Sequence, residues 1–151
     1  MIAGTGSGCG KTMVTLAVLR AMQRRNIPLA AFKCGPDYID PMFHKAVLGI
    51  PSRNLDLFFI SEREVRGQIV RSIPQNGLGV IEGVMGFYDG VSGTTDTASA
   101  AHLARETGTP AILVVRPKGQ SLSLAAMLSG FRNFAENTLC GVILNGISDT
   151  M

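Results

Sequence analysis

The stretch Gly-Thr-Gly-Ser-Gly-Cys-Gly-Lys-Thr at positions 4–12 constrains this chain more than any other. Four glycines in seven positions, followed at once by Lys11, Thr12 and a helical pattern, describe a loop that wraps phosphate. Glycine lets the backbone take positive φ, so successive N–H groups turn inward, and the positive end of the next helix adds to their pull on an anion. Lys11 brings a mobile charge for β- and γ-phosphates, and the Thr12 hydroxyl is a ligand for Mg²⁺. The strict spacing G-x-x-x-x-G-K-[ST] requires glycine at position 5, where this chain has Thr5; the leading glycine stands one place earlier, at Gly4. With Gly8-Cys9-Gly10-Lys11-Thr12 intact, this is a variant P-loop. Thr5, Gly6, Ser7, Gly8, Cys9, Gly10, Lys11 and Thr12 are its expected nucleotide-binding residues.

Such a loop hangs from a buried strand, and Met1-Ile2-Ala3 supplies only the end of one. A helix is expected from about Lys11 to Arg25, with Val14, Ala17, Val18, Ala21 and Met22 inward and Arg20, Gln23 and Arg24 outward. Leu29 to Cys34 reads as a second strand, apolar except for Lys33. A short helix through His44 and Leu48 follows, and Arg53 to Ile60 fits either a strand or a helical turn. Ser61 with Glu64 makes a capping box that opens a helix with Val65, Ile69 and Ile73 inward. Leu78 to Ile81 is a third strand ending at Glu82, and a glycine-rich loop runs from Gly83 to Gly93. An alanine-rich helix is expected over 96–107, stopped by Gly108 and Pro110, then a strand over 111–115. Ser121 or Ser123 caps a helix with Leu124, Leu128 and Phe131 on its face, and a fifth strand spans 139–144.

Strands alternating with helices predict an α/β fold with a parallel, doubly wound sheet. The clipped first strand and the lack of a helix after the last one read as an incomplete domain of a longer protein. An uncovered final strand is also a pairing edge, which leaves room for a homodimer. Hydrophobic residues make up 46% of the 151 and charged ones 17%, enough for one well-buried core. The net charge of +3 is scattered, with no aromatic interleaving and no Trp, so nucleic acid is not an expected partner. No apolar run approaches the roughly 18 residues of a membrane span, and no basic segment precedes an apolar one as in a signal peptide. Three cysteines, Cys9, Cys34 and Cys140, form no C-x-x-C pair, which argues against disulfides and zinc and for a cytoplasmic location.

Ligands of an open parallel sheet bind beyond the carboxyl ends of its strands. Sorting the polar residues by that rule gathers the P-loop, Lys33, Asp37, Asp40, Glu82 and Asp89 on one rim. Glu82 directly follows an apolar strand, where phosphoryl-transfer enzymes place a carboxylate for Mg²⁺. Each also has a plainer reading: Lys33 as a snorkelling lysine, Asp37 as an Asx turn, Asp40 as a cap before Pro41, Asp89 as a turn before Gly90. His44 and His102 read as packing residues. Asn145, at the tip of the last strand, offers a donor and an acceptor to an adenine edge, and equally fits a turn.

Five segments carry a resemblance: 4–12, Phe-Lys-Cys-Gly-Pro-Asp-Tyr-Ile-Asp-Pro (32–41), Arg-Asn-Leu-Asp-Leu (53–57), Glu-Gly-Val-Met-Gly-Phe-Tyr-Asp-Gly (82–90) and Gly-Val-Ile-Leu-Asn (141–145). Together they resemble the cobyrinic acid a,c-diamide synthases, over essentially the whole chain and as the amino-terminal part of their synthetase domain. The resemblance implies a dethiobiotin synthetase-like P-loop NTPase topology, and ATP and Mg²⁺ as cofactors. The implied substrate is cobyrinic acid or a related tetrapyrrole polycarboxylate, amidated through an acyl phosphate with ammonia from glutamine. It further implies Lys11, Lys33, Asp37, Asp40, Glu82 and Asp89 as catalytic residues, Thr12, Glu82 and Asp37 or Asp40 at the metal, and Asn145 beside the nucleotide.

In that family ammonia comes from a carboxy-terminal glutaminase domain with a nucleophilic cysteine. Cys9, Cys34 and Cys140 lie within the synthetase part, so none is expected to be that nucleophile. Two other readings stand beside this one. A ligase for another tetrapyrrole, such as a sirohydrochlorin, shares the same motifs. A partitioning-type switch ATPase shares the deviant P-loop but carries an early loop lysine where this chain has Gly6.

Overall fold

A computed structural model describes residues 1–37 and 39–147. Eleven elements alternate along the chain: β1 (Ile2–Gly4), α1 (Lys11–Gln23), β2 (Leu29–Cys34), α2 (Ile39–Leu48), β3 (Ser52–Leu55), α3 (Glu62–Ser72), β4 (Leu78–Glu82), α4 (Ala100–Thr107), β5 (Ala111–Val115), α5 (Leu122–Asn133) and β6 (Leu139–Leu144). The six strands form one sheet in the order β3-β2-β4-β1-β5-β6, and every pairing is parallel. The α/β, doubly wound class expected from the alternating pattern is what the chain adopts.

The two-residue period of the strands sorts their side chains into two cores. Ala3, Phe32, Ile81 and Leu113 point toward α3, α4 and α5, where they meet Val65, Ala101 and Leu103. Their neighbours Ile2, Ala31, Val80 and Val114 point to the other side, against Leu19 of α1 and Leu48 of α2. Both faces of the central strands are therefore covered, which is why those strands read as unbroken apolar runs. At the sheet edge, Cys140, Val142 and Leu144 of β6 remain exposed.

Three local expectations change. Residues 52–55, ambiguous in sequence, form β3 because they pair with β2 from Ala31↔Ser52 to Cys34↔Leu55, so the sheet has six strands rather than five. The helix expected from position 96 starts at Ala100, since the Ser99 side chain accepts from the His102 N–H and caps it there. The inner face of α1 keeps Val14, Val18 and Met22, half-buried against the core as expected, but it is centred on the buried Lys11, Thr15 and Leu19, and Ala17 and Ala21 are exposed. Alanine fits either side of a helix, so apolar spacing alone misplaced these two residues. The capping box of α3, by contrast, is present as read, with Ser61 and Glu64 bonded reciprocally. Gly108 closes α4 in the left-handed conformation.

The two misplaced alanines of α1 give a direct test. Leu19→Ala should lower unfolding stability by about 2–5 kcal/mol in a denaturant titration, while Ala17→Gln should stay within about 0.5 kcal/mol of the parent. A larger loss from Ala17→Gln than from Leu19→Ala would restore the face read from the sequence.

Candidate functional site

The P-loop leaves the middle of the sheet. β1 lies between β4 and β5, and the loop is tied to both sides. The Thr5 N–H donates to the Val114 carbonyl at 3.2 Å and the Phe87 N–H to the Gly4 carbonyl at 2.8 Å. Gly8 and Gly10 have φ of 74° and 101°, in the left-handed region that side chains disfavour. A Cβ on Gly10 would also overlap the Asn145 amide. Asn145 Nδ2 donates to the Cys9 carbonyl at 2.9 Å, so this donor braces the loop from the tip of β6. The α1 N-terminus has no side-chain cap, unlike those of α3 and α4. Its first-turn N–H groups are therefore left for an anion.

Register does the rest. On adjacent parallel strands, Lys33 and Glu82 are paired residues, so both side chains emerge beside Lys11 at the carboxyl end of the sheet. The three are 3%, 0% and 8% exposed respectively. Lys33 Nζ donates to Asp40 Oδ2, to Glu82 Oε1 at 3.2 Å and to the Gly83 carbonyl at 3.1 Å. Thr12 Oγ1 donates to Glu82 Oε1 at 2.6 Å and approaches Asp40 Oδ1 at 3.4 Å. Lys11 Nζ donates to the carbonyls of Gly6 at 2.9 Å and Met85 at 2.6 Å. These groups line a cleft of about 340 Å³ together with Ser7, Gly8 and Gly10. A larger cavity of about 490 Å³ lies between α5 and β6, and among the described residues Arg132 is the one charged residue in its wall.

The electrostatics follow from burial set against partners. Burial alone would raise the Glu82 carboxyl, but the hydrogen bond from His44, the charge of Lys33 and the Thr12 hydroxyl outweigh it and bring it down to about 2. Burial likewise works against the Lys33 ammonium, and its Asp40 and Glu82 partners more than offset that, so it is raised. Lys11 lacks such a contact, and burial lowers it. Cys34 is pushed up to about 12 by burial, which makes it an inert thiol.

Thr12 Oγ1, Glu82 Oε1 and Asp40 Oδ1 form a hard, all-oxygen donor set. Ligand oxygens around Mg²⁺ at about 2.0–2.1 Å lie roughly 2.9 Å from their neighbours, and the separations of Thr12 Oγ1 from Glu82 Oε1, 2.6 Å, and from Asp40 Oδ1, 3.4 Å, fall on either side of that value. Asp37, the other expected aspartate, is used differently. Its Oδ1 accepts from the Ile39 N–H at 2.9 Å and the Asp40 N–H at 3.5 Å, at the start of α2. Its Oδ2 lies 3.6 Å from Lys33, so Asp40 is the aspartate that reaches Thr12. Asp89 does not join the cluster. Its Oδ2 accepts from the Gly86 N–H at 2.8 Å, and it borders a neighbouring apolar cavity with Phe58, Phe59 and Val91. Cys9 is buried under the loop.

A family profile described as the CobQ/CobB/MinD/ParA nucleotide binding domain matches residues 1–150. The chain belongs to this family. Among curated proteins similar to this chain, the cobyrinate a,c-diamide synthase of Clostridium acetobutylicum is 48% identical over 151 residues, covering 99% of this chain and 34% of that protein. That of Salmonella typhimurium is 44% identical over 149 residues, 98% of this chain and 32% of that protein. That of Clostridium tetani is 41% identical over 150 residues, 99% of this chain and 34% of that protein. The chain thus spans between 32% and 34% of the length of these relatives. The resemblance carried by the five sequence segments is therefore found across nearly all of the chain. Among the described residues, no helix is long and apolar enough to cross a membrane.

His44 is the residue that sequence reasoning missed. Read as packing, it is fully buried with Nε2 3.1 Å from Glu82 Oε2 and Nδ1 2.9 Å from Ser52 Oγ. The available signal was spacing: Asp40 and His44 stand four apart on one face of α2, the face that meets Glu82.

Glu82 ties the site to acid stability. Its folded pKa lies below the usual carboxylate value, so its contribution is present above the unfolded pKa and is lost as pH falls through the folded one. Stability should decline between about pH 5 and pH 2 by on the order of 2 kcal/mol from this group. Urea titrations at pH 7 and pH 3.5 should show Glu82→Gln losing less stability on acidification than the parent. Equal losses would remove Glu82 as a source of the acid sensitivity.

Proposed function

We propose that residues 1–151 are the amino-terminal part of the synthetase domain of an ATP- and Mg²⁺-dependent amidoligase. Its substrate is cobyrinic acid, or a closely related tetrapyrrole polycarboxylate, whose side-chain carboxylates become amides in cobalamin biosynthesis. The observation that carries this reading is the meeting of two lysines, Lys11 and Lys33, with Thr12, Asp40 and Glu82 in one cleft under a P-loop. A pocket made only to hold nucleotide needs Lys11, Thr12 and one carboxylate. The second, buried lysine suits a second anion, the acid to be activated. Relatives named cobyrinate a,c-diamide synthase at 41–48% identity support the choice of acid, and Gly6 in place of an early loop lysine disfavours the switch ATPase.

When bound, Mg·ATP supplies an activated phosphoryl group with its charge partly neutralised. Thr12, Glu82 and Asp40 hold the ion; the loop amides and the α1 N-terminus bind the phosphates. Lys11 exchanges the carbonyls of Gly6 and Met85 for phosphate oxygens and stabilises the charge that develops in transfer. Lys33, whose donors are taken by Asp40, Glu82 and the Gly83 carbonyl, acts through its charge and lessens the repulsion between the incoming carboxylate and the phosphates. A carboxylate oxygen of the acid bonds to the γ-phosphorus as the bond to the ADP oxygen breaks, giving an acyl phosphate and ADP. Ammonia then bonds to the acyl carbon and phosphate departs with the carbon–oxygen pair, leaving the amide once a proton is lost. Asp89, on the adjoining cavity, positions substrate or ammonia. The ammonia is drawn from glutamine by a glutaminase domain that these residues do not include; Cys9 and Cys34 are buried, and neither serves as its nucleophile.

Positional isotope exchange in labelled ATP tests the acyl-phosphate step. Scrambling should require the tetrapyrrole acid and persist without ammonia; ATP hydrolysis that ignores the acid would contradict the ligase reading. Lys11→Ala and Glu82→Gln should each lower turnover with ammonium chloride by at least about 100-fold, and near-parental turnover in either would remove that residue from the mechanism.

A further inference from the structure

Glu82 carries two oxygens with separate surroundings. Oε1 faces Thr12 at 2.6 Å and Lys33 at 3.2 Å, on the side of the cleft. Oε2 faces away, to His44 Nε2 at 3.1 Å, and His44 Nδ1 is bonded in turn to Ser52 Oγ at 2.9 Å. The chain Ser52–His44–Glu82–Thr12 therefore runs from β3, through α2 and β4, to the first turn of α1. His44 and Glu82 are both fully buried.

A carboxylate turns easily about its last torsion, because that torsion joins sp³ and sp² carbons and has broad wells. Lys33 alone does not fix the Glu82 plane, since an ammonium is a point charge without a preferred orientation. The imidazole supplies what Lys33 lacks, a directional donor on a rigid ring. An ionised carboxylate only accepts, so Nε2 carries a proton aimed at Oε2, while Nδ1 is paired with Ser52 Oγ.

We propose that His44, held by Ser52, is a positioning residue that locks the Glu82 carboxylate so that Oε1 faces the metal side of the cleft. α2 then grips the site twice from one face: Asp40 approaches Thr12 directly, and His44, one turn later, fixes the oxygen behind it. The inference rests on the reading of Thr12, Asp40 and Glu82 as the magnesium-binding set. Partners of this kind behind a metal ligand are typically worth about 10- to 100-fold in metal affinity or activity.

The test is calorimetric ATP binding to the full-length protein at saturating Mg²⁺ and again in EDTA, for the parent, His44→Leu, His44→Gln and Ser52→Ala. His44→Leu should cut the Mg²⁺-dependent gain in ATP affinity by about 10- to 100-fold, with the affinity in EDTA moving far less. His44→Gln, whose amide still donates toward Oε2, should recover most of the gain. Ser52→Ala should lose roughly two- to tenfold. A folded His44→Leu with the parental Mg²⁺ response overturns the proposal. So does a fall equal in Mg²⁺ and EDTA, which marks a purely structural role. If His44→Leu does not fold, Ser52→Ala decides, and an unchanged Mg²⁺ response there also overturns it. A parent whose ATP affinity ignores Mg²⁺ contradicts the metal site itself and removes the basis of this inference with it.

Discussion

A lysine and a glutamate buried side by side on adjacent parallel strands are the constraint around which the rest of this molecule is arranged. Moving either ion out of water costs several kcal/mol, and their attraction repays this only when their remaining donors and acceptors are also satisfied. The molecule meets that condition almost completely. Lys33 spends its donors on Asp40, Glu82 and the Gly83 carbonyl, and Glu82 accepts from Lys33, Thr12 and His44. A sheet selected for stability alone would carry two apolar side chains at this register position. Keeping ions there is the pattern of a site tuned for chemistry.

The pair also explains why the surrounding elements sit where they do. Placing β1 between β4 and β5 brings the P-loop to the carboxyl ends of the strands that carry Lys33 and Glu82. Packing α2 beside β3 and against the same side of the sheet as α1 brings Asp40 to Thr12 and His44 to Oε2 of Glu82. The far edge contributes as well, since Asn145 reaches back from the end of β6 to the Cys9 carbonyl. Four strands and two helices thus converge on a cleft that none of them forms alone.

Much of this was legible in the sequence, for reasons that differ by element. The P-loop, Lys33 and Glu82 announce themselves because polar residues at the ends of apolar strands have few structural excuses. The α3 capping box and the Gly108 stop are local chemistry and needed no tertiary context. On the inner face of α1, Val14, Val18 and Met22 were placed rightly and Ala17 and Ala21 were not, because alanine is indifferent to burial. β3 was ambiguous because a four-residue edge strand exists only through its pairing with β2. The division of labour between Asp37 and Asp40 depends on where α2 starts, which spacing does not fix: the first aspartate binds backbone N–H groups there and the second faces Thr12. His44 was passed over because a single histidine on an apolar helix face looks like packing until its partner strand is known.

The most direct test of the central claim is a crystal structure of the protein with Mg²⁺ and a non-hydrolysable ATP analogue. One magnesium ion should be bound by Thr12 Oγ1 and by oxygens of Glu82 and Asp40. The γ-phosphate should lie beside Lys11, on the side of the cleft that holds Lys33. A nucleotide seated in the P-loop whose ion lies away from Glu82, or a γ-phosphate on the far side of the loop from Lys33, would contradict that claim.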